Sequence, residues 1–212
     1  MTGTQQSPSA EESPVGVPRR ELRDPRTLRA LSHPVRLRIL DELATHGPAT
    51  ATELAERIGE SAANCSWHLR QLAQHGFIEE AGGGTGRQRP WKLVVQTTHV
   101  SNPDEPEPEY TRARDALLEV LMGWEIETWQ AWHAARDTEP EQWRAAGFDV
   151  NMNYIWLTAE ELAAFKQELY DLLDQRLASR LDRLDPAIRP AESRPVRFVA
   201  WGFPSGPPHS PE

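Results

Sequence analysis

Apolar residues recur at helical spacing through most of the chain, and short breaks rich in glycine, proline and serine separate the repeats. In the first half this pattern predicts four short helices. The first helix begins at Asp24-Pro25, because aspartate caps a helix and proline suits its first turn. The second helix follows Ser32-His33-Pro34 and ends at Gly47-Pro48.

The third and fourth predicted helices lie close together, as in a helix-turn-helix. Thr50 and Glu53 form a capping-box pair that opens the third helix, and Gly59 ends it. Ser61 caps the fourth helix, and Gly76 ends it because glycine suits the residue after a helix. A hairpin follows, with strands and a glycine-rich tip predicted at residues 77–80, 91–95 and 82–86 respectively.

The second half is predicted to be helical after a linker. Residues 101–109 hold three prolines and four acidic residues, which preclude a packed element. One helix is expected from Tyr110 to Arg136, and another from Thr158 to about Leu184. Glu161 completes a second capping box at the start of the latter. Its leucine face is wider than a coiled-coil seam, which favours a bundle. Residues 195–201 are predicted as a late strand.

The predicted fold class is mainly α with a small β-hairpin wing. It comprises a winged helix-turn-helix and then a helical dimerisation or effector region. The expected domains are a disordered tail at residues 1–18, a DNA-binding winged helix-turn-helix at 19–100, a linker at 101–109, a helical dimerisation and ligand-binding domain at 110–201, and a flexible tail at 202–212.

Charge is divided unevenly between these regions. The chain carries −9 in total, but residues 19–100 carry +3 and residues 101–212 carry −10. A mildly basic first half can meet phosphate, whereas an acidic second half is repelled by it. No apolar run is long enough for a membrane span, and the polar N-terminus is not a secretory signal. With Cys65 as its single cysteine, the chain is expected in a reducing cytoplasm.

The fourth helix has the chemistry of a DNA-reading helix. Short polar residues near its N-terminus let the backbone approach base edges, while Leu69 and Leu72 hold its rear face to the domain. Arginines beside the hairpin tip are expected to bind phosphate or enter the minor groove. The predicted DNA contacts are Ser61, Ala63, Asn64, Ser66, His68 and Arg70 in the helix, and Arg87 and Arg89 in the wing.

Residues 25–95 resemble the ArsR-type winged helix-turn-helix regulators. The resemblance is carried by LRALSHPVRLRIL at 28–40, TELA at 52–55, NCSWHLRQL at 64–72 and GRQRPW at 86–91. It implies a homodimeric bacterial transcription factor, often a repressor released by an effector, with Ser66 and His68 facing DNA. For such a dimer we expect an imperfect palindrome as the binding site. Metal-sensing members carry a cysteine pair in the third helix, and the corresponding residues 53–57 hold no thiol.

No catalytic motif, cofactor loop or metal-ligand cluster is recognisable, so we expect neither an enzyme nor a bound cofactor or metal. Six of the eight tryptophans lie beyond the linker. They indicate either a pocket for a small hydrophobic or aromatic effector or the packed core of a dimerisation domain. The candidate effector residues are Trp124, Trp129, Trp132, Tyr154 and Trp156. Two alternatives remain for the control of DNA binding, namely a protein partner and oxidation of Cys65.

Overall fold

The computed structural model describes residues 11–12, 18–83, 89–100, 103, 105–148 and 155–207. Its strands are β1 (Glu11–Glu12), β2 (Pro18–Leu22), β3 (Ile78–Glu80), β4 (Trp91–Leu93) and β5 (Thr97–Val100). Its α-helices are α1 (Pro25–Leu31), α2 (Pro34–His46), α3 (Ala51–Ile58), α4 (Ala62–Gln74), α5 (Pro108–Ala135), α6 (Glu141–Ala146) and α7 (Ala159–Leu177). Short 3-10 helices span Arg136–Thr138, Ala178–Leu184 and Pro186–Ile188.

Local side-chain caps fix the helix starts where the sequence predicts them. The Asp24 carboxylate accepts a hydrogen bond from the backbone N–H of Arg26 at 3.0 Å, which caps α1. In the capping box of α3, the backbone N–H of Thr50 donates to Glu53 Oε2 at 2.7 Å. Each cap satisfies a backbone group that a helix end would otherwise leave without a partner. The same device opens α7, where the N–H of Thr158 donates to Glu161 at 2.7 Å.

Helices α1 to α4 enclose one apolar core, and β3 and β4 form an antiparallel hairpin beside it. Ile78 pairs with Leu93 in this wing, and Ala49 bridges Trp91 to extend it. The predicted fold class, mainly helical with a small hairpin wing, is therefore confirmed. Gly82 and Gly83 both have a φ of 78° and begin the tip, whereas the rest of the predicted tip lies outside the described residues.

A second small sheet was not predicted. It has the strand order β1-β2-β5, with β2 parallel to β5 and antiparallel to β1. Leu22, at the end of β2, is buried in the core. Residues 11–12 and 18, which lie within the predicted tail, are paired in these strands. Glu12 pairs with Pro18 across a short connection, whereas β2 and β5 join segments almost eighty residues apart, a contact that no local pattern reports.

The start of α5 belongs to the winged-helix core. Tyr110, Ala113 and Leu117 are buried in the same cluster as the residues of α1 to α4. The Tyr110 hydroxyl donates to the backbone carbonyl of Leu22 at 3.3 Å. Helix α5 also begins at Pro108, within the predicted linker. The first turns of α5 therefore extend the winged-helix core beyond residue 100.

The C-terminal region packs more loosely and returns to α2. Helix α7 has no buried residue among its described side chains. Residues 195–201 were predicted as a strand, but the structure contains no strand there. The segment lies against helices and not beside a free sheet edge, so it has no strand to pair with. The Arg189 guanidinium instead donates to the carbonyls of Thr45 at 2.5 Å and Ala44 at 3.1 Å, at the C-terminal end of α2. Within the described residues, no helix is long and apolar enough to cross a bilayer.

Candidate nucleic-acid interface

Helices α3 and α4 form a helix-turn-helix whose second helix is fixed on one side. Helix α3 ends at Gly59, where φ is 71°, a conformation that glycine adopts without strain. Arg38 holds the turn by donating to the carbonyl of Ile58 at 3.1 Å and to Glu60 at 3.2 Å. On the inner face of α4, three side chains have no exposed surface, namely those of Cys65, Leu69 and Leu72.

The opposite face of α4 is open. Ala63, Trp67, Arg70 and Gln74 follow a spacing of four, three and four residues, which places them on one side of a helix, and all four are exposed. Ser66 lies beside them and is partly exposed. Small side chains near the start of the helix and a cation further along suit a helix that enters the major groove.

Two members of this face, Trp67 and Gln74, were not among the predicted contacts, and Trp67 is the larger of them. Its side chain is 48% exposed, unusual for a large apolar group without a partner surface. The ring contacts His68 edge-on, with centroids 4.8 Å apart. Its spacing from Ala63 and Arg70 was the available signal, since all three fall on one stripe of an α-helix.

Two predicted contacts near the start of α4 have partners inside the protein. The Ser61 hydroxyl accepts from the backbone N–H of Asn64 at 3.1 Å and so caps the helix. The Asn64 amide donates to Glu60 Oε2 at 2.9 Å. The Asn64 amide can therefore contact a base only if it gives up its hydrogen bond to Glu60. Ala63 and Arg70 can contact DNA without such an exchange.

His68, predicted as a DNA contact, does not lie on the open face of α4. His68 is 2% exposed and lies against His33, with ring centroids 4.6 Å apart. Burial, with His33 and Arg36 nearby, lowers the pKa of His68 to about 4, so the ring is neutral at physiological pH. Its spacing explains this position, because Cys65, His68, Leu69 and Leu72 form the buried i, i+3, i+4, i+7 stripe of α4.

The structure also argues against a redox role for Cys65. The Cys65 thiol is completely buried on the inner face of α4. Burial raises its pKa above the usual value, with Glu60 acting in the same direction. Because the thiolate is the form that reacts with oxidants, this position disfavours oxidation.

The wing carries two basic side chains, each paired with a carboxylate at the surface. Arg89 pairs with Glu80 at 2.8 Å, and Lys92 pairs with Glu79 at 3.1 Å. All four side chains are about half exposed, and such surface pairs contribute at most about 1 kcal/mol. A DNA phosphate can therefore replace either carboxylate at low cost. Arg87 lies outside the described residues.

The described candidate effector residues have different surroundings. Trp124 lines a cavity beside α2. Trp129 stacks on His133 with centroids 5.1 Å apart, and Trp132 lies under Arg136 at 5.5 Å. Trp156 is 76% exposed, and Tyr154 lies outside the described residues. Among the four candidates that the structure describes, Trp124 lines this cavity, and Trp129, Trp132 and Trp156 do not. In the described part of the chain, no cluster of three or more potential metal-ligating side chains occurs.

Comparison with known proteins identifies the domain. Residues 31–81 match a family model described as a helix-turn-helix domain, which spans α2 to β3. No curated protein matches the chain. Among solved structures, the chain is similar to a MarR-family regulator from Neisseria meningitidis, with 15% identity over 68% of this chain and 78% of the other and a TM-score of 0.31. Because that TM-score is low, we draw no functional argument from this likeness.

The class of the protein follows from the domain match and the geometry of α4. A helix-turn-helix with an adjacent wing and an open second helix is the architecture of DNA-binding transcriptional regulators.

Proposed function

We propose that this protein is a sequence-specific DNA-binding transcriptional regulator of the ArsR type, with α4 as its major-groove helix. The observation that carries the proposal is the asymmetry of α4. Its inner face is locked into the core by Leu69 and Leu72, while the face holding Ala63, Trp67 and Arg70 contacts solvent. The net charge of +3 on residues 19–100 supports an approach to phosphate by this region.

The proposed active form is a homodimer that binds an imperfect palindrome. Helix α5 supports it, because Leu118, Met122, Ile126 and Trp129 form a line of apolar side chains that are 40–49% exposed. An exposed apolar line along a long helix suits a two-fold contact with a second copy. Two copies would place two α4 helices at half-sites about one helical turn of DNA apart, or a multiple of that distance.

Repression, with release by a small apolar effector, completes the proposal and rests on the ArsR resemblance. A protein partner acting on the acidic second half is the alternative source of control. A ligand should raise the melting temperature of the isolated protein, whereas control by a partner predicts no response to small molecules.

Selection of bound sequences from random duplex DNA, followed by gel-shift titration, tests DNA binding. We expect one enriched, imperfectly palindromic site whose affinity falls steeply as salt rises. No enrichment at low salt would contradict the proposal.

The Arg70→Ala variant tests the role of α4 in that titration. We expect it to weaken specific binding by about 1–3 kcal/mol if Arg70 reads a base, with less effect on random DNA. Arg183→Ala serves as the matched control, since Arg183 is an exposed arginine of the C-terminal region. Equal losses for both variants would show that α4 does not supply the specific contact.

A further inference from the structure

A cavity of about 320 Å³ lies where the C-terminal region meets the winged helix. Its walls come from α2, the base of the wing, α5 and the 3-10 helix Ala178–Leu184. Most of the lining is apolar, contributed among others by Leu37, Leu40, Phe77, Leu121, Leu181 and Leu184. It is a cleft open to solvent rather than an enclosed cavity, and its volume lies at the lower end of the range for sites that hold small organic molecules.

The positively charged side chain of Arg197 lines this cavity. The Arg197 guanidinium donates to Asp41 of α2 and to Glu125 of α5, the latter at 3.0 Å. It also lies over the ring of Trp124, 5.8 Å from the ring centroid. Two carboxylates and an aromatic face are the groups that bind ammonium and guanidinium ions in proteins.

Arg197 can leave this position at modest cost. Its side chain is 35% exposed, so water and salt screen its pair with Asp41 and, less strongly, its pair with the more buried Glu125. The surrounding residues 194–203 form neither helix nor strand, so displacement breaks no ladder of backbone hydrogen bonds. Upstream, Arg189 stays attached to the end of α2 through the carbonyls of Ala44 and Thr45. Only the segment after Arg189 needs to move.

Without Arg197, the site would hold two negative charges next to an apolar chamber. A ligand with a cationic head and an apolar body satisfies both parts, because its head replaces the guanidinium and its body fills the chamber. An anionic ligand would instead meet Asp41 and Glu125 with like charge. The charge of the site therefore selects the class of ligand.

We propose that this cavity is a binding site for small apolar cations, and that Arg197 occupies its charged end in the free protein. As the effector site of a regulator, it rests on the proposed function. Binding itself requires the protein alone, so the test below decides the site whether or not DNA is bound.

Calorimetric titration of the full chain with benzylguanidinium tests the proposal, with benzylsulfonate as an anion of comparable size. We expect the cation to bind and the anion not to bind. Arg197→Gln removes the internal competitor and should tighten cation binding at least tenfold. The double variant Asp41→Asn/Glu125→Gln, which keeps Arg197, should weaken cation binding at least tenfold.

Arg194→Gln is the matched control. Arg194 lies in the same segment, pairs with Glu139 at 2.6 Å and covers Trp143 at 5.3 Å, but it does not line the cavity. It should leave cation affinity unchanged. The proposal is overturned if neither the wild type nor Arg197→Gln binds the cation, if the anion binds equally well, or if Arg194→Gln has the same effect as Arg197→Gln. Circular dichroism of each variant verifies folding, and the double variant is decisive if Arg197→Gln unfolds.

Discussion

The winged-helix region and the C-terminal region both contain many apolar side chains, but they bury them to different extents. Leucines of α1 to α4, such as Leu28, Leu54 and Leu69, have no exposed surface, and the core is complete within one chain. Beyond Leu117, large apolar side chains are repeatedly half exposed, and α7 has no described side chain that is buried. Apolar surface at this density marks a region that associates with something else. The first region therefore has a closed core, whereas the second exposes the apolar surface on which the proposed dimer contact depends.

The charges divide in the same way. The basic surface lies with the helix-turn-helix, while the −10 of residues 101–212 lies with the exposed apolar surface. Arg189 and Arg197 tie the two regions together through α2, the helix directly before the helix-turn-helix. A change in the C-terminal region can therefore reach the DNA-binding module through contacts on a single helix.

The largest contrast between the regions is expected for core truncation. Leu69→Ala removes a fully buried side chain from α4 and should lower the free energy of unfolding by about 2–5 kcal/mol. Leu172→Ala removes a half-exposed side chain from α7 and should change it by less than about 0.5 kcal/mol in the monomer. Urea unfolding at low protein concentration measures both. Similar losses would show that α7 belongs to the same cooperative core.

The buried His68 gives the second contrast. Its pKa is lowered to about 4, so the folded state binds its proton less readily than the unfolded state. The resulting stability is present above about pH 6.5 and is lost as the pH falls towards 4, by about 3 kcal/mol at most. Unfolding free energies measured across this range should therefore decline, and His68→Gln should flatten the decline. His133→Gln, in the exposed part of α5, should leave it unchanged.

The α5 surface gives the third contrast. Met122→Glu places a charge in the exposed apolar line and should weaken dimerisation at least about 100-fold, or about 2.7 kcal/mol, because burying the carboxylate is costly. Ala134→Glu adds the same charge at an exposed position off that line, and it should have little effect. Sedimentation equilibrium measures both. A wild-type chain that stays monomeric at high concentration would exclude this surface as a dimer contact.

The smallest contrast compares the capping box of α3 with the capping box of α7. Thr50→Ala and Thr158→Ala each remove a capping box. Thr50→Ala should cost about 1 kcal/mol of global stability, because α3 is part of the core. Thr158→Ala should cost less than half of that, since α7 can fray without exposing a buried residue. Denaturant titrations of the two variants make the comparison, and a larger loss for Thr158→Ala would reverse our ranking of the regions.

Much of the helical framework was predictable because its signals are local. Asp24, Thr50, Ser61 and Thr158 each bond a backbone group two or three residues away, so a short window of sequence contains the whole interaction. The glycine-rich hairpin and the spacing of Leu69 and Leu72 were equally local. They were sufficient to predict a winged helix-turn-helix and the position of its second helix, α4, which we propose reads DNA.

The face assigned to His68 shows where local reasoning was applied too narrowly. His68 was predicted to contact DNA because it is polar, although its spacing from Cys65 and Leu72 puts it on the buried stripe of α4. Trp67 was overlooked on the open stripe for the converse reason, since it is large and apolar. In both cases helical position, rather than residue type, decided which way the side chain points.

By itself, the sequence determined the helix starts, the helix-turn-helix and the division of charge, because each depends on neighbouring residues or on simple counts. The tertiary structure alone decided that β2 pairs with β5, that the start of α5 completes the winged-helix core, and that Arg197 meets Asp41 across 156 positions of the chain. These contacts join distant segments. Their energy depends on the whole chain folding around them, and no local pattern encodes it.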